Sequence, residues 1–181
     1  MAYVDDVQAD SPKIYWRVGE ASGNAVDWSA FLHTGAVTGT TRAVAGAIRD
    51  PDKAIRFGGG VTERISVTSD IDFDFEQTEP FTIECWARFA VPASPMVLWA
   101  KCKDASPTRG YTGYVNTDGT IHVQLINTVV GNLFLEVQTD TPWSDNRWHH
   151  IVTTYDGSGS AAGIFVYVGT TWRTRSGWLW A

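Results

Sequence analysis

The chain has 181 residues, of which 44% are hydrophobic and 19% charged, and its formal net charge is −6. That length and apolar content fit one folded domain with a substantial core and exclude a mainly disordered chain. The acidic balance lacks the basic face that nucleic acid requires, and there is no apolar run long enough to insert into a membrane.

The opening segment, MAYVDDVQAD, has neither a basic start nor an apolar stretch, so no signal peptide is expected. Val and Ile together number 28 and Thr 20, against 6 Leu, a balance that favours strands over helices. Strands are predicted near 13–18, 54–57, 61–67, 80–90, 96–102, 111–116, 119–126, 132–139, 147–156 and 162–168. Turn signals separate them, among them Gly58-Gly59-Gly60, Thr117-Asp118-Gly119 and Asp156-Gly157-Ser158-Gly159. Short strands at this spacing argue an all-β antiparallel sandwich or barrel formed by a single domain over 1–181. The alternation is clearest in Phe81-Thr82-Ile83-Glu84-Cys85-Trp86-Ala87-Arg88-Phe89, whose odd-numbered residues share the inward face. Asp118-Gly119 supplies the positive φ angles of a hairpin turn. The expected core includes Trp16, Phe57, Phe81, Ile83, Trp86, Trp148, Ile151 and Tyr155.

Cys85 and Cys102 read as two small buried thiols rather than a disulfide framework or a zinc site. His149 and His150 are adjacent, so a strand sends them to opposite faces and they do not share a metal. Glu84 and Arg88 share a strand face and read as a surface or inter-strand ion pair.

Four motifs resemble laminin-G-like, concanavalin A-like jelly-roll domains, in that family's order. They are Ala9-Asp10-Ser11-Pro12 with Tyr15-Trp16-Arg17-Val18-Gly19-Glu20, then Ala54-Ile55-Arg56-Phe57-Gly58-Gly59, then Phe81-Thr82-Ile83-Glu84-Cys85-Trp86-Ala87, then Trp148-His149-His150-Ile151-Val152-Thr153-Thr154-Tyr155-Asp156-Gly157. The resemblance implies a jelly-roll sandwich and leaves function open, since one fold serves many functions. The opening motif is similar to that of bacteriophage virion proteins. This implies a capsid-decoration or minor tail protein, assembled on the virion after synthesis in the host cytoplasm. Family members continue past the strand at 164–168 with further closing strands. Here a Trp-rich tail, 169–181, stands in their place, either folding back as a replacement strand or completed by a neighbouring chain.

Asp70, Asp72, Asp74 and Glu76 would share one face of a strand, as the acids of related laminarinase-type glucanases do. Their position just before the Phe81 strand instead favours a solvated acidic loop anchored by Phe73 and Phe75. No catalytic residue is assigned, and the chain is read as a non-enzyme. The loop of Asn24 and Asp27 is where some relatives bind calcium; no other cofactor is expected. Trp28, Trp143, Trp172, Trp178 and Trp180 lie in loops or the tail and are read as contacts to partners or glycan. The expected partners are other virion proteins or a second copy, with a bacterial surface polysaccharide as the alternative. Ending the chain at Val168 is expected to turn a defined oligomer into a monomeric or insoluble product, as read by light scattering. Two equally well-folded monomers would remove the tail's assembly role.

Overall fold

The computed structural model describes residues 3–48, 53–102, 109–128 and 133–169. The fold is mostly β, in several antiparallel sheets of β-sandwich, jelly-roll type. No helix among the described residues is long and apolar enough to cross a membrane. The seven-residue helix α1 (Tyr3–Ala9) was not expected; Asp5 and Asp6 in its first turn complement the positive end of the helix dipole. The chain divides into two compact units, one up to Asp74 and one from Phe75.

In the first unit, β1 (Ala36–Thr38) pairs with β4 (Arg64–Ser66), and β2 (Thr41–Ala45) pairs with β3 (Lys53–Arg56). The strand expected over 13–18 is reduced to a single bridge between Trp16 and Asp27. Val18 takes a left-handed φ of 53°, costly for a β-branched residue, and this ends any extended run there. Trp16 is half-buried: its indole N–H donates to the His33 carbonyl at 2.8 Å and its ring lies against Gly35. Phe57 is not a core residue. It is 45% exposed, because β3 ends at Arg56 and the chain turns outward through the glycines that follow.

The second unit contains β5 (Phe81–Ala90), β6 (Met96–Cys102), β7 (Gly110–Val115), β8 (Ile121–Thr128), β9 (Leu133–Gln138), β10 (Asp145–Tyr155) and β11 (Ile164–Gly169). They form a three-stranded sheet, β11-β10-β5, and a four-stranded sheet, β6-β7-β8-β9. The inner faces meet in two clusters. Phe81, Val123, Tyr155 and Ile164 form one, with Ile83 packed against it. Phe89, Val115, Ile121 and Ile151 form the other, joined by Cys85, Ala87 and Trp143. Burying an Ile or Phe side chain this way contributes about 1.5–3 kcal/mol. The alternation read in β5 holds: Tyr155 pairs with Phe81, Ile151 with Cys85 and His149 with Ala87, all inward. The same register corrects two core assignments. Trp86 pairs with His150 and Trp148 with Arg88, so both tryptophans stand on the outer face, half-buried.

The turn between β7 and β8 forms where Asp-Gly predicts it, with Gly119 at φ 84° and its N–H donating to the Asn116 carbonyl. Gly113 in β7 has a different duty. A Cβ there would stand 2.4 Å from the indole of Trp99, which lies across the strand on the inner face. Gly113→Ala should therefore displace Trp99 and cost about 1–3 kcal/mol, measured by urea unfolding. An unchanged midpoint would show that the indole can shift freely.

Candidate functional site

The outer face of the four-stranded sheet carries a connected polar and aromatic group drawn from three strands. Tyr114 on β7 is the direct cross-strand partner of His122 on β8, and His122 is the partner of Gln138 on β9. One row along stand Thr112, Gln124 and Glu136. Tyr114 Oη donates to Glu136 Oε1 at 3.1 Å. To reach β9 from β7 the side chain crosses β8, and its ring lies over that of His122, with centroids 5.0 Å apart and planes 21° from parallel. His122 Nδ1 lies 2.9 Å from the same Glu136 oxygen. This explains why His122 is only 7% exposed although it points away from the core. It also leaves the other face of the Tyr114 ring on the outside of the sheet.

The network continues through the turn. Asp118 Oδ1 accepts from the backbone N–H of Thr120 at 2.9 Å and from its hydroxyl at 2.6 Å. The hydroxyl oxygen also stands 3.0 Å from His122 Nε2. With its proton given to Asp118, Thr120 can only accept from that nitrogen. Both ring nitrogens of His122 are thus engaged inside the protein, and the imidazole links Glu136 to the Thr120–Asp118 turn.

The electrostatics follow the bonding. Burial alone would raise Glu136, but hydrogen bonds from His122, Gln124 and Tyr114 outweigh it and hold the carboxyl below its ordinary 4.5. Burial, reinforced by the Glu136 charge, pushes the Tyr114 phenol up to about 12, so it stays a neutral donor. Asp118 is held low chiefly by the Thr120 hydroxyl. The result is a flat aromatic face, fixed at its rim and bordered by amide and hydroxyl groups. An aromatic face is electronegative, so it can attract the weakly positive C–H groups of a saccharide ring.

The residues singled out in the sequence lie elsewhere. Asp27 is buried, and both its oxygens are occupied by protein donors. Oδ1 takes the N–H of Tyr15 and of Ser29; Oδ2 takes the Ser29 hydroxyl and the His33 N–H. Burial would raise this carboxyl, but those bonds outweigh it and hold it low. No lone pair remains for calcium, and Asn24 is exposed on the same loop. Asp27 is therefore a loop organiser and not an ion ligand. The loop it shapes presents Trp28, Phe31 and Leu32 at 47%, 41% and 74% exposure, with the Arg17 guanidinium 5.0 Å from the Trp28 ring. Trp143 is not an open contact residue. It packs against the core and meets His149 edge-on at 5.2 Å. Trp172, Trp178 and Trp180, and the tail beyond Gly169, lie outside the described residues.

The acidic run forms a short 3-10 turn, Ile71–Phe73, capped by Asp70. Asp72 bonds the Lys13 ammonium at 2.8 Å and His33 Nε2 at 3.1 Å, contacts that hold it low. His33, Asp70 and Asp72 are spaced closely enough to hold a metal, but the ammonium already fills the role of cation. Phe73 packs on His33 and Phe75 on Phe81, the anchoring expected of them. Glu84 pairs with His150 at 3.2 Å instead of with Arg88, which lies over the Trp148 ring. His149 and His150 do face opposite ways; His149, 1% exposed, bonds Asp145 at 2.7 Å. The Cys85 thiol is pushed up to about 12 by burial, and neither cysteine is in a disulfide.

Tyr114, His122 and Glu136 were not among the sequence candidates. They lie 8 and 14 residues apart and meet only through strand register, although the Asp-Gly turn already placed Tyr114 beside His122. A model of the Concanavalin A-like lectin/glucanases superfamily matches residues 57–171, a span that contains the whole of this face. The chain belongs to that superfamily. No curated protein matches the sequence.

Glu136 ties this site to pH. Its folded value lies below its unfolded one, so its contribution is complete above the ordinary 4.5 and is lost as pH falls through the lowered value. Unfolding free energy measured from pH 6 to about 3 should fall less steeply in Glu136→Gln than in the natural chain. Parallel curves would show that the network does not hold the carboxylate.

Proposed function

We propose that this chain is a non-catalytic recognition module that binds carbohydrate on the outer face of the four-stranded sheet. The observation that carries this reading is the Tyr114 ring, laid flat over His122 and fixed at its hydroxyl by Glu136. Superfamily membership agrees with it, since both lectins and glucanases use this fold. Virion-surface residence, as a capsid-decoration or minor tail protein, is part of the proposal. It is supported by the likeness of the opening residues to phage virion proteins, and such a protein would use the face to attach to bacterial surface polysaccharide. Contact with other virion proteins or a second copy is a separate role, favoured by the exposed Trp28, Phe31 and Leu32 on the loop that Asp27 holds.

The non-catalytic part rests on charge. Glycoside hydrolysis of the usual kind needs one carboxyl kept protonated as the acid, beside a second one. Glu136 and Asp118 are both held ionised by their donors, and Asp72 is paired with Lys13 and His33. A polysaccharide array followed by titration calorimetry is expected to find a glycan that the chain binds without releasing reducing ends. Tyr114→Ala, checked for folding by circular dichroism, should weaken that binding about tenfold. Release of reducing sugar would overturn the non-catalytic reading, and full affinity in the variant would move the site off this face.

A further inference from the structure

We infer that the saccharide taken by this face is uncharged, and that Glu136 is the residue that turns acidic polysaccharides away. The inference rests on the carbohydrate reading and goes on to name the ligand's class. The other outward-facing positions in the rows of Tyr114 and Glu136 on β7, β8 and β9 are Thr112, Gln124 and Gln138, all neutral. The charged groups beside them are the carboxylates of Glu136 and, at the turn, Asp118. His122 lies beneath the ring with both nitrogens at hydrogen-bond distance from protein atoms, so it does not reach a ligand above.

Among the described residues, the two sheet rows that carry Tyr114 and Glu136 hold neither Lys nor Arg. The nearest guanidinium along β7 is Arg109, which bonds the Asn127 side-chain oxygen at 2.9 and 3.1 Å. Five strand positions separate it from Tyr114, about 17 Å at the usual rise. That is beyond the screening length of roughly 8 Å at physiological salt, so it offers no compensation. A uronate, sulfate or phosphate set on the ring would therefore meet like charge a few ångströms away, with no Lys or Arg among the described residues of these two rows to offset it. Repulsion at about 5 Å in a partly wet site weakens binding on the order of tenfold or more. A neutral pyranose chain avoids this penalty and keeps the stacking.

The test is affinity electrophoresis and array binding with backbone-matched pairs, supplemented by neutral and acidic bacterial polysaccharides. Hydroxyethylcellulose is set against carboxymethylcellulose, dextran against dextran sulfate, and methyl-esterified against de-esterified pectin. Neutral members should retard the chain and acidic members should not. Glu136→Gln should narrow the neutral-to-acidic ratio by about fivefold. Added salt is an independent readout that needs no variant: any residual binding of an acidic probe should strengthen as salt screens the repulsion. Preference for acidic members, or acidic binding that weakens with salt, would overturn the inference and leave the carbohydrate reading intact. Failure to bind any glycan of either kind would overturn both.

Discussion

Strand register is the constraint on which everything else in the second unit depends. Side chains alternate with a period of two, so a slip of one residue in β10 would carry Ile151 and Tyr155 out to solvent and bring Trp148 and His150 into the core. The four-stranded sheet is bound by the same rule. Val115, Ile121 and Val123 are almost wholly buried, and that fixes their neighbours Tyr114 and His122 on the other face. The Tyr114 face is thus the obverse of the core: the apolar side chains that hold the sheets together also decide which polar ones meet outside.

Within that frame, carboxylates serve mainly as internal acceptors. All four histidines of the chain face one: His33 with Asp72, His122 with Glu136, His149 with Asp145, His150 with Glu84. Asp27 gathers four donors and thereby shapes the loop that presents Trp28 and Leu32. A chain with a net charge of −6 consequently places its acids less as free reactive groups than as fixed points around which loops and rings are oriented. Such use suits recognition, where geometry has to be set before the ligand arrives.

Most strands of the second unit could be read from the sequence, because period two and Gly-containing turns are local signals. The Phe81 strand, the Asp-Gly turn and the opposed directions of His149 and His150 all follow from neighbours in the chain. What went astray did so for identifiable reasons. Trp86 and Trp148 stand outside the expected core because register, which the parity of β5 already signals for Trp86, turns them to the outer face. Phe57 was assigned by motif, whereas β3 is too short to carry it inward. Loop analogy suggests Asp27 as an ion ligand, but three of its four donors are backbone N–H groups that no side-chain pattern reveals. The site itself was illegible for a deeper reason. Tyr114, His122 and Glu136 come from three strands, and their meeting depends on two registers and on a side chain that lies down across a neighbour.

That reclining ring has a kinetic consequence. Tyr114 is held from below by His122 and at its tip by Glu136, so little of its freedom remains to be lost when a ligand settles on it. With the ring already in place, association on this face is expected at a rate governed by diffusion and orientation. Differences in strength between one saccharide and another would then lie almost wholly in how long each stays.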